Sequence, residues 1–189
     1  MGKDHSNNPG RQLSLVYPAE ILRQVELTPN DKLVLGFDFA FYNKRGYNSY
    51  TNIEIGERLN LHVNSVSNSR KALIRNQFLQ KSGRKYYLTE KSIELFKRSD
   101  QIILLPKNVY QHGQLKSGEK LLWGIYNSIS RGYKEYFAKR ETTSTMLGVS
   151  KETVTAYTKK LSQSGLLKKY THDYGYCSTQ TKIVTEKLF

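Results

Sequence analysis

Laid over itself, the chain repeats. With Tyr17-Pro18 set over Leu105-Pro106, Pro18 falls on Pro106, Leu27 on Leu115, Lys32 on Lys120, Leu33 on Leu121 and Gly36 on Gly124, all eighty-eight positions apart. A small slip near Gly46 and Gly132 follows, and then the same spacing returns. Leu59 meets Leu147, Val66 meets Val154, Lys71 meets Lys159, Leu73 meets Leu161 and Leu79 meets Leu167. Two unrelated amphipathic helices could match once by chance, but would not restore one spacing across separate blocks. The chain is therefore expected to fold as two similar units, 13–88 and 101–189. A helical linker over 89–100 joins them, and a polar, flexible arm over 1–12 precedes them.

Each unit reads as the same succession of elements. An apolar, strand-like lead (Leu13 to Tyr17; Ile102 to Leu105) stops at a proline, which cannot donate to a ladder. A helix follows. Thr28 is placed as its N-cap, with Pro29 at the first helical position and Asp31 near the positive end of the helix dipole. Leu33, Val34, Phe37, Ala40 and Phe41 form its apolar stripe; the second copy has Leu121, Leu122, Ile125 and Ile129, with Trp123 alongside. Glycine-bearing turns, Arg45-Gly46-Tyr47 and Arg131-Gly132-Tyr133, end these helices. The fold class expected is mainly α with small β hairpins (α+β).

Charge limits the partners. Thirty Lys and Arg against sixteen Asp and Glu give a net charge of +14 and a pI near 9.7. The excess is shared, +6 in residues 1–100 and +8 in 101–189, so it is not one basic tail. That balance suits a polyanion. No apolar run approaches a membrane span, so no membrane partner is expected. The single cysteine, Cys177, permits no intrachain disulfide and suits a reducing cytoplasm.

A second patterned stretch lies in the middle of each unit. Thr143 to Val154 follows a helix-turn-helix pattern. Ser144 is small where two helices cross, Gly148 permits a left-handed turn, Val149 plugs the angle, and Ser150 caps the next helix. Val154, Tyr157, Thr158 and Leu161 then face inward, leaving Lys151, Thr153, Thr155, Ala156 and Lys159 for a major groove. In the first unit Ile55 to Val66 has Gly56 at the small site, Asn60 at the turn and His62, a weaker cap, in place of serine. Its outward residues are Asn64, Ser65, Ser67, Asn68, Lys71 and Arg75. Asn pairs bidentately with adenine, and Ser or Thr reads several base edges.

A hairpin follows each helix pair. Phe78 to Lys81 and Arg84 to Leu88 turn at Ser82-Gly83; Leu166 to Tyr170 and Tyr176 to Val184 turn near Asp173-Tyr174-Gly175. Such a hairpin is a wing. Lys81, Arg84, Lys85, Lys168, Lys169 and His172 flank the two wings as phosphate contacts, which position without reading sequence. Thr89 is read as the cap of the linker helix.

On these motifs the chain resembles the winged-helix superfamily over nearly its whole length. The paired arrangement is similar to replication initiators of plasmids and other mobile elements, in which two winged helices occupy successive grooves. Leu115 to Leu122 and the Gly-Val-Ser turn also resemble helix-turn-helix proteins of phages and plasmids. The resemblance implies sequence-specific binding of double-stranded DNA, as an origin-binding initiator or a transcription regulator, nucleoid- or plasmid-associated. Homodimers or the replication or transcription machinery are the implied protein partners.

No enzyme, metal or cofactor is expected. His5, His62, His112 and His172 are scattered, one cysteine cannot complete a zinc site, and the acidic residues are dispersed. Ser117 to Lys120 lacks the spaced glycines of a phosphate loop and reads as a helix start. Two other readings stay open. One unit could serve as a protein–protein (dimerisation) module while the second reads DNA, or structured RNA could be the ligand, given fourteen tyrosines. Tyr42, Tyr47, Tyr50 and Tyr133 sit near turns and are read as rim packing.

Overall fold

The computed structural model describes residues 14–137, 139–174 and 179–188. The arm expected over 1–12 lies outside them, as do Cys177 and part of the second hairpin turn. The first half runs through strand β1 (Leu15–Pro18), the one-turn helix α1 (Ala19–Leu22) and the long helix α2 (Pro29–Arg45). Helices α3 (Asn52–Leu59) and α4 (Val63–Arg75) follow, then a hairpin of β2 (Leu79–Ser82) and β3 (Lys85–Leu88). Helix α5 (Glu90–Arg98) leads into β4 (Ile102–Leu105), α6 (Lys107–Tyr110), α7 (Ser117–Ser130), α8 (Arg140–Leu147) and α9 (Lys151–Gln163). Strands β5 (Leu167–Tyr174) and β6 (Thr179–Thr185) close the chain. The fold is α+β, mainly helical, with three small antiparallel pairs of strands among the described residues.

Local chemistry sets the helix boundaries. Thr28 and Asp31 form a reciprocal capping box on α2, with Pro29 in its first turn, and Gly46 ends it in the left-handed region at φ 77°. Thr51 and Glu54 cap α3 in the same way. The expected left-handed turn residues hold: Asn60 at φ 52° and Gly148 at φ 72°.

Three features depart from the sequence reading. First, α2 is buried on every side from Asp31 to Phe41, not along one stripe. It lies between β1, α4, β3 and the neighbouring long helix α7, so no face is left for water. Second, Ile129, expected in the α7 stripe, is 44% exposed near the helix end. Third, Asp173 and Tyr174, expected in the second turn, are in β5 and pair with Gln180 and Thr179; Gly175, the last residue of that expectation, lies outside the described residues.

The two halves meet through their leads and their long helices. β1 and β4 pair with each other, Leu15 opposite Leu105 and Pro18 opposite Ile102. Pro18 and Pro106 thus stand at ladder ends, where a missing donor costs little. Two lysines at matching positions cross this junction. Lys32, fully buried, donates from Nζ to the Leu22 carbonyl at 2.7 Å and to the Leu147 carbonyl, at the end of α8, at 3.1 Å. Lys120, equally buried, donates to the Leu59 carbonyl, at the end of α3, at 2.8 Å. Each ammonium faces the negative end of a helix in the opposite half. Burial lowers both lysines to a pKa of about 8.

Candidate nucleic-acid interface

The α3–α4 corner is tight because Gly56 has no side chain. A Cβ there would lie 2.6 Å from the Leu61 carbonyl oxygen, while the Leu61 N–H donates to the Gly56 carbonyl at 2.8 Å. Ser144 takes this position in the second half, buried, its hydroxyl donating to the Glu141 carbonyl at 2.8 Å. Ser150 caps α9 by accepting from the Thr153 N–H at 3.1 Å. His62 is a working cap on α4: its Nδ1 accepts from the Asn64 N–H at 3.2 Å.

Helix α4 is two-faced. Val66, Ser69, Arg70 and Leu73 are buried. Asn64, Asn68, Lys71 and Arg75, spaced along the opposite side, are exposed, with Ser65 and Ser67 half-buried beside them. What holds this helix in place is Arg70, on its inner side. Arg70 pairs with Asp38 of α2 at 3.2 Å, and donates to the Tyr50 carbonyl at 2.8 Å and to Asn52 Oδ1 at 3.1 Å. Its guanidinium also lies 3.7 Å over the Tyr86 ring of β3. The Asn48 amide donates to Asp38 at 2.6 Å, and Asn48 and Tyr86 exchange backbone bonds. Burial pushes the Asp38 carboxyl above the usual carboxylate range, against the pull of Arg70. One cluster thus ties α4, α2, the start of α3 and the hairpin into a fixed geometry.

At the three matching positions of the second half stand Tyr126, Thr158 and Tyr136. The Tyr126 and Thr158 hydroxyls lie 2.7 Å apart, the two tyrosine rings are 4.9 Å apart, and the Tyr136 N–H donates to the Ile183 carbonyl of β6 at 2.7 Å. The same tie is made without charge.

The candidate contacts are unequally available. Lys71, Arg75, Arg84, Lys159 and Lys168 are exposed and form no ion pair among the described residues. Lys85 is exposed, its Nζ 4.1 Å over the Tyr47 ring at the base of the first hairpin. Lys151 pairs with Glu141 at 3.0 Å, an exposed pair that contributes little to stability and is readily exchanged for another anion. Lys169 is tied to Glu135. Thr153 is half-buried and engaged with Ser150 in the cap, and Thr155, also half-buried, donates to the Lys151 carbonyl at 3.0 Å. The His172 side chain lies outside the described residues.

Two things escaped the sequence reading. Carrying the repeat spacing along the outer face of α9 places Glu152, Ala156, Lys159 and Gln163 against Asn64, Asn68, Lys71 and Arg75. All four are exposed, so the two faces differ in chemistry and α9 is the less basic. The supporting cluster of Asp38, Asn48 and Arg70 also went unseen, because polar residues in a helix, such as Asp38 and Arg70, or beside a turn, such as Asn48, read as surface. The expected rim packing holds for Tyr50, whose ring packs on Phe37 and Phe41. Tyr133 is 66% exposed instead.

Among the described residues no three His, Cys, Asp or Glu side chains converge, and no helix is long and apolar enough to cross a membrane. No family model matches the chain and no curated protein matches it in sequence. Among solved structures it is similar to the DIP2311 protein from Corynebacterium diphtheriae at 13% identity and a TM-score of 0.27. That alignment covers 80% of this chain, which spans 26% of the other protein's length.

Proposed function

We propose that this chain binds double-stranded DNA through two units of winged-helix type, α3–α4 with the β2–β3 hairpin and α8–α9 with the β5–β6 hairpin. The role that fits such a reader is origin binding or transcription regulation on a mobile element, in the cytoplasm. The observation that carries the reading is the outer face of α4. Asn64, Asn68, Lys71 and Arg75 form an exposed, unbroken row, beside a hairpin whose Arg84 and Lys85 are also exposed. Amides suit adenine edges, and the cations suit phosphates or guanine. The net charge of +14 supplies long-range attraction to a polyanion. Competition against a fluorescent DNA duplex tests the reading. Unlabelled duplex DNA displaces the probe, whereas structured RNA of equal length displaces it at least tenfold less well. Equal displacement by RNA would overturn it.

A second reading draws support from the second unit, where Lys151 of α9 and Lys169 of β5 are engaged within the chain and Ala156 replaces an amide. Here the second unit contacts another copy of the chain and only α4 reads DNA. Sedimentation velocity separates the two: the first reading expects a monomer on DNA, the second a dimer that forms without it.

A further inference from the structure

Two sets of contacts between the halves are reciprocal. Lys32 of the first half reaches the end of α8, and Lys120, its counterpart, reaches the end of α3. Leu147 and Leu59, the two acceptors, are themselves counterparts. The β1–β4 ladder behaves likewise: Leu15 opposite Leu105 and Tyr17 opposite Ile103 are exchanged into one another when the leads are exchanged, and Val16 opposite Leu104 maps onto itself. When residue i touches j and the counterpart of j touches the counterpart of i, the two bodies are related by a two-fold axis; head-to-tail stacking produces no such reciprocity. The axis passes between the lysines and the paired leads. It carries α3 onto α8, and with them α4 onto α9.

Resting on the DNA-binding reading above, we infer that the target is an imperfect inverted repeat, with α4 and α9 each reading one half-site across this internal two-fold. A two-fold protein meets duplex DNA along one of the dyads perpendicular to the duplex axis, so the half-sites run in opposite directions. Both face the protein only if their centres are separated by close to a whole number of turns, roughly 10.5 bp each. The repeat is imperfect because the faces differ. Asn64 and Asn68 suit adenines in one half, whereas Glu152 suits a cytosine amino group and Ala156 a thymine methyl in the other. Lys71 and Lys159, the same residue type in both, make the matching contacts.

Selection from a random 30-bp duplex library with the full chain tests this. The expected winners carry two unequal half-sites in inverted orientation. Asn68→Ala relaxes one position in a single half-site by about tenfold, and Ala156→Asn creates an adenine preference at the matching position of the other, so that the selected site becomes more nearly palindromic. Direct repeats, or a lone half-site, would overturn the inference while leaving DNA binding standing. A library showing no enrichment, with no duplex retained at low salt, would overturn DNA binding and the inference with it. Circular dichroism of both variants guards against misfolding, since both positions are exposed.

Discussion

At the scale of single residues, the strongest constraints are buried charges that periodicity cannot reveal. Lys32 and Lys120 occupy matching positions in the repeat, but nothing local distinguishes them from surface lysines; their burial follows from the meeting of two helices distant in sequence. Their pKa of about 8, lowered by burial from 10.5, has a signed consequence. Between those two values the unfolded chain holds protons that the folded chain has shed, so rising pH stabilises the fold. Burial raises Tyr17 and Tyr126 above the ordinary tyrosine pKa, which reverses the trend above about pH 10. Urea midpoints measured from pH 7.5 to 9.5 are therefore expected to climb, and in Lys32→Met/Lys120→Met the climb disappears. Arg70 is a comparable case. Arg70→Ala leaves Asp38 buried and unpaired, a loss of about 3–5 kcal/mol in urea unfolding. Transplanting the neutral set of the second half, Asp38→Tyr with Asn48→Tyr and Arg70→Thr, is expected to recover more than half of that loss. No recovery would mean the two sites are not equivalent.

Elements were far more legible than their neighbours in space. Capping signals at Thr28 and Ser150 and left-handed turns at Asn60 and Gly148 are local chemistry, and each stands where the sequence puts it, while the first hairpin turns one residue later than expected, at Gly83-Arg84, with Ser82 paired to Lys85. The pairing of β1 with β4 was not legible, because a ladder between strands nearly ninety residues apart leaves no local trace. The all-round burial of α2 follows from that same long-range packing. Of the candidate site, the outward row on α4 was readable from helical spacing, whereas the engagement of Lys151 and Lys169 by Glu141 and Glu135 depends on tertiary contacts. The tight α3–α4 corner makes a further expectation. Gly56→Ala forces a Cβ against the Leu61 carbonyl, costing about 1–3 kcal/mol, read as a fall of several degrees in Tm. An unchanged Tm would mean the corner has slack.

For the whole molecule, the reciprocal lysines and the shared strand pair make the junction between the halves a structural joint rather than a tether. Helix α5, which leads into β4, is itself packed on the first half: Phe96 stacks on Phe39 of α2 with ring centroids 5.7 Å apart, and the Ser92 hydroxyl donates to the Phe78 carbonyl at 2.7 Å. A joint of this kind holds α4 and α9 at one separation, and on the DNA-binding proposal the ordering cost of placing the second helix would then be met during folding. A chain of this charge will attract DNA weakly wherever its cations lie, so affinity alone is a poor test. The most direct measurement compares two variants of equal charge across a salt titration of a fluorescent duplex. Lys71→Ala/Arg75→Ala removes cations from the outer face of α4; Lys97→Ala/Lys107→Ala removes two exposed cations elsewhere. The first is expected to lose at least tenfold in affinity at 0.1 M salt and to lower the log–log salt slope by about 2, while the second stays near wild type. Equal losses in both would contradict the DNA-reading role proposed for α4.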